Sequence, residues 1–306
     1  MLTTVTLLGL LVATAAAFAI TEHLKLIKSP VYGTLVSKQI SPVCDCREKT
    51  AAIRIRIRHH DRVTLKILDS HGHTVSTIVS DTPEPARRHL RFDWDGHTDT
   101  GAQAPDGVYN AEVHLANARR TILLPNRIVV DTTTPEVGSA EAAKPVLFAG
   151  PGRSVAIRYS FSEPANAVVY LRHRQIIRGR PTRQHYRIKW SGTFEGRPLP
   201  AGRYVLSVGA RDSAGNQTPP GRRKSVTVVV RYIDLAPRLL TVRPGARFTV
   251  RLQTAAPRYT WRLGRRHGAR RGRHLQLRAP TTPGTYHLVV GEHGHRATAV
   301  VRVRAK

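Results

Sequence analysis

Acidic residues, aromatics and cysteines are all scarce in this chain of 306 residues. Asp plus Glu number 20 against 49 Lys plus Arg, mostly Arg, for a formal net charge of +29. That field favours polyanions: nucleic acid, anionic lipid or an acidic wall polymer. Arg placed singly along strands is more often a solvated face than a groove, so composition alone names no ligand. Aromatics make up 6%, which leaves Val, Leu, Ile and Ala to build the cores. The only cysteines are Cys44 and Cys46, which excludes the disulfide framework of a small secreted domain. A direct bond between them closes a tight loop; reduced thiols, an intermolecular bridge or two soft metal ligands are the alternatives. Cys44 follows Ser41-Pro42-Val43 rather than small residues, which argues against lipid attachment. Nucleophile elbows, phosphate loops and zinc-hydrolase helices are missing as well. The chain therefore reads as no enzyme, and no cofactor is expected.

One long apolar run exists. Leu2 to Thr21 carries no charge, about the 20 residues that cross a hydrocarbon core as a helix. Ala15-x-Ala17 or Ala17-x-Ala19 also fits a signal cleavage site, although a basic segment ahead of the run is missing. Residues 1–28 are thus expected to be a transmembrane or signal segment. The flanking positive charges, Lys25 and Lys28, follow it; taken strictly, they would hold the rest of the chain inside.

From Ala51 onward the period is two. Ile53, Ile55 and Ile57 alternate with Arg54, Arg56 and Arg58, the pattern of a half-buried strand. Val63-x-Leu65-x-Ile67, Val75 to Val79, Leu90-x-Phe92-x-Trp94, Tyr109 to Leu115, Thr121 to Leu124 and Arg127 to Asp131 continue it. Many short strands with frequent turn signals describe a β-sandwich. A second unit repeats the first. Trp94-Asp95-Gly96 becomes Trp190-Ser191-Gly192, and Gly107-Val108-Tyr109 becomes Gly202-Arg203-Tyr204. The offset is about the 100 residues of one sandwich. A third, smaller unit begins after Ile233–Pro237 and repeats the turn-then-Tyr theme at Pro283-Gly284-Thr285-Tyr286. The expected domains are 29–135, 136–234 and 235–306. The short last unit is compatible with a fragment of a longer architecture.

The first unit resembles the FlgD-like Ig-like module family. The residues that carry it are Val63, Leu65, Ile67, Gly72, Val75, Trp94-Asp95-Gly96, Gly101 and Asp106-Gly107-x-Tyr109. The second unit is a looser match that keeps Trp190, Gly192, Gly202 and Tyr204 but loses the Asp after Trp. The resemblance implies an all-β chain of tandem immunoglobulin-like sandwiches and an extracytoplasmic structural or adaptor role. It outweighs the Lys25 and Lys28 placement. Family members also occur attached to exported hydrolases, so the alternative role is the non-catalytic N-terminal module of one.

Binding signals are diffuse. The densest basic run holds Arg262, Arg265, Arg266, Arg270, Arg271 and Arg273, with Trp261 beside it. Arg-rich segments with an aromatic neighbour can contact polyanions, and the Gly spacing suggests a loop between strands. A second basic run spans Arg172 to Arg187. An anionic wall polymer or membrane surface is the expected partner, with no nucleic acid in an exported protein and no protein partner identifiable. His59-His60, His71-x-His73 and His293-x-His295 read as solvated turn residues. Asp93, Asp95 and Asp99, and Asp212 with Asn216, read as turn caps ahead of calcium ligands. No metal site is expected.

Overall fold

The computed structural model describes residues 9–18, 29–180 and 183–305. It forms two compact units, residues 1–132 and 133–306. The second holds two hydrophobic cores, one from Val137 to Val230 and one from Ile233 to Val303. Most of the expected transmembrane or signal segment lies outside the described residues. Residues 9–18 are helical and expose Leu10, Leu11, Val12 and Phe18. Among the described residues no helix is long and apolar enough to cross a membrane.

The first unit is a two-layer sandwich. A three-stranded sheet pairs Ala51–Ile57 with Val31–Val36 on one side and Leu90–Trp94 on the other. A five-stranded sheet runs Gln39–Ile40, Arg120–Val130, Gly107–Leu115, Asp61–Leu68, Thr74–Glu84. Every contact in it is antiparallel except the first, where Gln39–Ile40 runs parallel to Val129 and Val130. The alternation seen in the sequence places Ile53, Ile55, Ile57, Val63, Leu65 and Ile67 between the layers, all with no solvent exposure. Each such side chain contributes roughly 1.5–3 kcal/mol of transfer free energy.

The second sandwich has the same plan with one modification. Its 17-residue strand Val155–Leu171 serves both layers. Residues 155–161 pair with Val137–Ala142 and Arg183–Trp190, and residues 166–171 with Gly202–Arg211 and Arg174–Arg178. Lys224–Arg231 and a parallel edge, Val146–Phe148, complete the second layer. The register breaks between Ser160 and Ala165, where the strand crosses from one layer to the other. The sequence separates this element into two strands because Pro164 interrupts its alternation.

The third sandwich repeats the arrangement in full. Ile233–Ala236, Arg247–Thr254 and His274–Arg278 make the three-stranded sheet. Leu239–Val242, His295–Val303, Gly284–Glu292, Arg258–Leu263 and Arg266–Arg271 make the five-stranded one, again with a parallel first pair. The likeness reaches further than the turns that its sequence displays.

Candidate anion-contact surfaces and turn sites

The repeated Trp, Gly and Tyr residues are packing devices. Trp94 Nε1 donates to the His97 carbonyl at 2.8 Å, and Trp190 Nε1 to the Thr193 carbonyl at 3.0 Å. Each Trp meets its Tyr edge to face, Trp94 with Tyr109 and Trp190 with Tyr204, a geometry that the ring quadrupoles favour. Gly96 and Gly192 have φ of +81° and +76°. A Cβ at Gly96 would collide with the Pro42 ring, and one at Gly192 would stand 3.0 Å from Leu147. Gly107 and Gly202 lie beneath the rings of Tyr109 and Tyr204.

The Arg-rich run is not a loop. Arg258–Leu263 and Arg266–Arg271 form a hairpin at the free edge of the third sandwich's five-stranded sheet. An edge strand needs no continuous apolar face, so its polar sequence conceals it. Residues opposite one another in the register share a face. Arg262 opposes His267 and Arg258 opposes Arg271 on the outer face. Tyr259 opposes Arg270 and Leu263 opposes Arg266 on the core side, where Arg266 donates to the Arg278 carbonyl at 2.9 Å. Arg265 and Arg273 sit at turns. The six residues are therefore divided between two faces and two turns. Pairing instead brings Arg258 and Arg296, which lie outside the run, to a cavity of about 460 Å³ on the outer face. Its floor is Thr260, Ala269 and Gly291.

The second sandwich carries a basic concavity on the corresponding outer face. Arg172, His173, Arg203 and Arg223 line a cavity of about 430 Å³ together with Tyr170 and Tyr204. No carboxylate is among its lining residues. The Arg223 guanidinium lies 3.6 Å over the Tyr170 ring, a stacked cation–π contact. Arg172 and His173 form the tight turn of the hairpin, with φ of +50° and +65°. That conformation is costly for residues other than Gly and is often retained where a side chain has a task. The same face of the first sandwich is charge-balanced: Arg62 is bonded to Asp81 at 2.6 Å, and Lys66 opposes Glu112.

The acidic residues of the Trp94 loop do not converge. Asp93 binds Arg91, Asp95 accepts the His97 N–H, and Asp99 accepts the Thr77 N–H at 2.7 Å. Asp212 closes its own turn by accepting the Gly215 and Asn216 N–H groups and the Asn216 side-chain amide. The histidine pairs differ from one another. His59 and His60 are exposed between strands. His295 stacks on Tyr232, whereas His293 lies beside the Glu292 carboxylate at 3.6 Å. His71 and His73 instead flank one carboxylate that the sequence reading leaves out. Asp69 Oδ1 accepts the N–H groups of His71 and His73 at 2.8 and 2.9 Å. Its Oδ2 lies 3.3 Å from His73 Nδ1 and 3.9 Å from His71 Nδ1. The backbone N–H of His73 first, and that of His71 with it, hold the Asp69 carboxyl below its ordinary pKa. Cys44 and Cys46 are joined in a disulfide with Cα atoms 5.2 Å apart, which selects one of the alternatives left open by sequence.

The family comparison agrees with the fold of the first sandwich. The FlgD Ig-like domain family matches residues 47–119, the stretch that holds Val63 to Ile67, the Trp94 turn and Tyr109. Its Ig-like sandwich is a structural module. No curated protein matches the sequence. Among solved structures, the chain is similar to the I-band fragment I67-I69 from titin, at 11% identity over 91% of this chain and 99% of that one, with a TM-score of 0.32. It is also similar to the Bacteroides ovatus mixed-linkage glucan utilization locus protein SGBP-B, solved with a mixed-linkage heptasaccharide. That match has 13% identity over 89% of this chain and 67% of that one, and a TM-score of 0.28.

Proposed function

We propose that this chain is an extracytoplasmic, non-catalytic adaptor whose Ig-like modules contact anionic material of the cell envelope. The apolar N-terminal run serves as its anchor or export signal. The observation that supports the contact most directly is the carboxylate-free cavity of Arg172, His173, Arg203 and Arg223, set in a chain of net charge +29. Two of these arginines, Arg172 and Arg203, are exposed. Guanidinium forks match the oxygens of phosphate and carboxylate groups. The aromatic ring of Tyr170 fixes Arg223 in place and lowers the entropy lost when an anion arrives. The outer-face cavity between Arg258 and Arg296 is the weaker contact of the two, because Glu292 also lines it.

Placement is tested by protease treatment of intact cells of the native host, followed by fractionation and N-terminal sequencing. Digestion before lysis, with the protein in the membrane fraction or the medium, agrees with the proposal. Resistance until lysis contradicts it and restores the placement that Lys25 and Lys28 would dictate.

A further inference from the structure

We propose that the turn Asp69–His73 binds a divalent transition ion such as Zn²⁺. The donor set is one carboxylate and two imidazoles, whose ligand atoms lie within 4.8 Å of one another. Oxygen and imidazole nitrogen together suit zinc, nickel and copper rather than calcium or magnesium. The spacing fits as well. Ligands held about 2.0–2.2 Å from a shared zinc stand roughly 3.3–3.6 Å apart at a tetrahedral angle. Asp69 Oδ2 is already 3.3 Å from His73 Nδ1 and 3.9 Å from His71 Nδ1.

The site is also partly organised in advance. Asp69 Oδ1 is engaged by two backbone N–H groups, which orients the carboxylate and presents Oδ2 to the imidazoles. Support of this kind behind a ligand raises metal affinity. The two rings lie within 25° of parallel with centroids 6.0 Å apart. Small rotations about their side-chain bonds bring both nitrogens onto one ion. With side-chain exposures of 77% and 79%, the imidazoles leave the remaining coordination positions open to water. The ion would tie together the ends of the strands Asp61–Leu68 and Thr74–Glu84.

The test is calorimetric titration of the full chain with zinc chloride, in parallel with His71→Asn/His73→Asn and with His293→Asn/His295→Asn. His71, His73 and His293 are exposed in turns, and His295 is half-buried at the first position of the strand His295–Val303; circular dichroism and the melting temperature of each variant confirm that the fold is kept. The expected result is one saturable site in the wild type and in the 293/295 variant. Its affinity should fall at least tenfold in the 71/73 variant. Equal binding by the 71/73 variant and the wild type, or no saturable site in the wild type, overturns the proposal.

Discussion

The Tyr286 hydroxyl donates to the Thr282 carbonyl, four residues upstream, at 3.0 Å. The same bond joins Tyr109 to Pro105 at 2.7 Å and Tyr204 to Pro200 at 2.8 Å. In each case the residue two before the Tyr is a glycine that lies under the ring, Gly107, Gly202 or Gly284. Each glycine pairs with a valine of the following strand, Val130, Val230 or Val303. A tyrosine corner thus recurs in all three sandwiches, including the one whose sequence resembles the others least.

Replacing the corner tyrosines by Phe removes one hydroxyl and leaves its carbonyl acceptor. Each substitution should cost about 1 kcal/mol, with Tyr109→Phe the largest because Tyr109 is the most buried of the three. Chemical denaturation of each variant measures this. Unchanged stability in all three would mean that the corner bond is replaced by water without loss.

Gly96→Ala should destabilise the first sandwich by more than the corner variants. The φ of +81° costs a non-glycine residue roughly 1–3 kcal/mol, and the new methyl group meets the Pro42 ring. Gly101→Ala is the control, because Gly101 has a similar φ of +82° with open space around it. The difference between the two melting temperatures isolates the steric part. Equal losses would contradict the packing argument.

Acid should weaken the first sandwich. Asp81 is held below its ordinary pKa chiefly by the side-chain hydrogen bond from Arg62, and Asp69 by the backbone N–H of His73. A depressed folded-state pKa stabilises the fold above the unfolded value of about 3.9. That contribution disappears as pH falls through the folded value. The wild type should therefore lose stability below about pH 4, and Asp81→Asn should lose less over the same interval. Asp81 is exposed and Asp69 half-buried, so salt reduces the effect chiefly at Asp81. Identical acid profiles for the two proteins would contradict the assignment.

The parts of the fold visible in the sequence are those where burial imposes a period. Ile53 to Ile57 and Val63 to Ile67 alternate because one side faces the opposite sheet, and Trp94 and Gly96 repeat as Trp190 and Gly192 because both fill the same corner. Four of the strands that sequence reasoning leaves out, Val31–Val36, Gln39–Ile40, Val137–Ala142 and Val146–Phe148, sit at sheet edges. There they are paired on one side only and carry weak alternation. The same cause turns the Arg266–Arg271 edge strand into an apparent loop. The basic cavity of the second sandwich combines Arg172, Arg203 and Arg223 from three chain segments. Sequence marks only the first of these, because it lies in a charge run. Asp69 is hidden for the opposite reason: it looks like an ordinary turn cap, and only the orientation of Oδ2 relates it to His71 and His73.

The central claim is that unneutralised arginines on the outer sheet faces hold an anionic polymer. Heparin chromatography under a salt gradient tests it most directly. The wild type should be retained and should elute steeply with salt, and Arg172→Ala/Arg203→Ala should elute earlier, with the slope against log salt reduced by about 2. Arg62→Ala/Arg91→Ala removes the same charge from residues already bonded to Asp81 and Asp93 and should elute close to the wild type. Elution of the wild type at low salt, or an equal shift in both variants, would contradict the account.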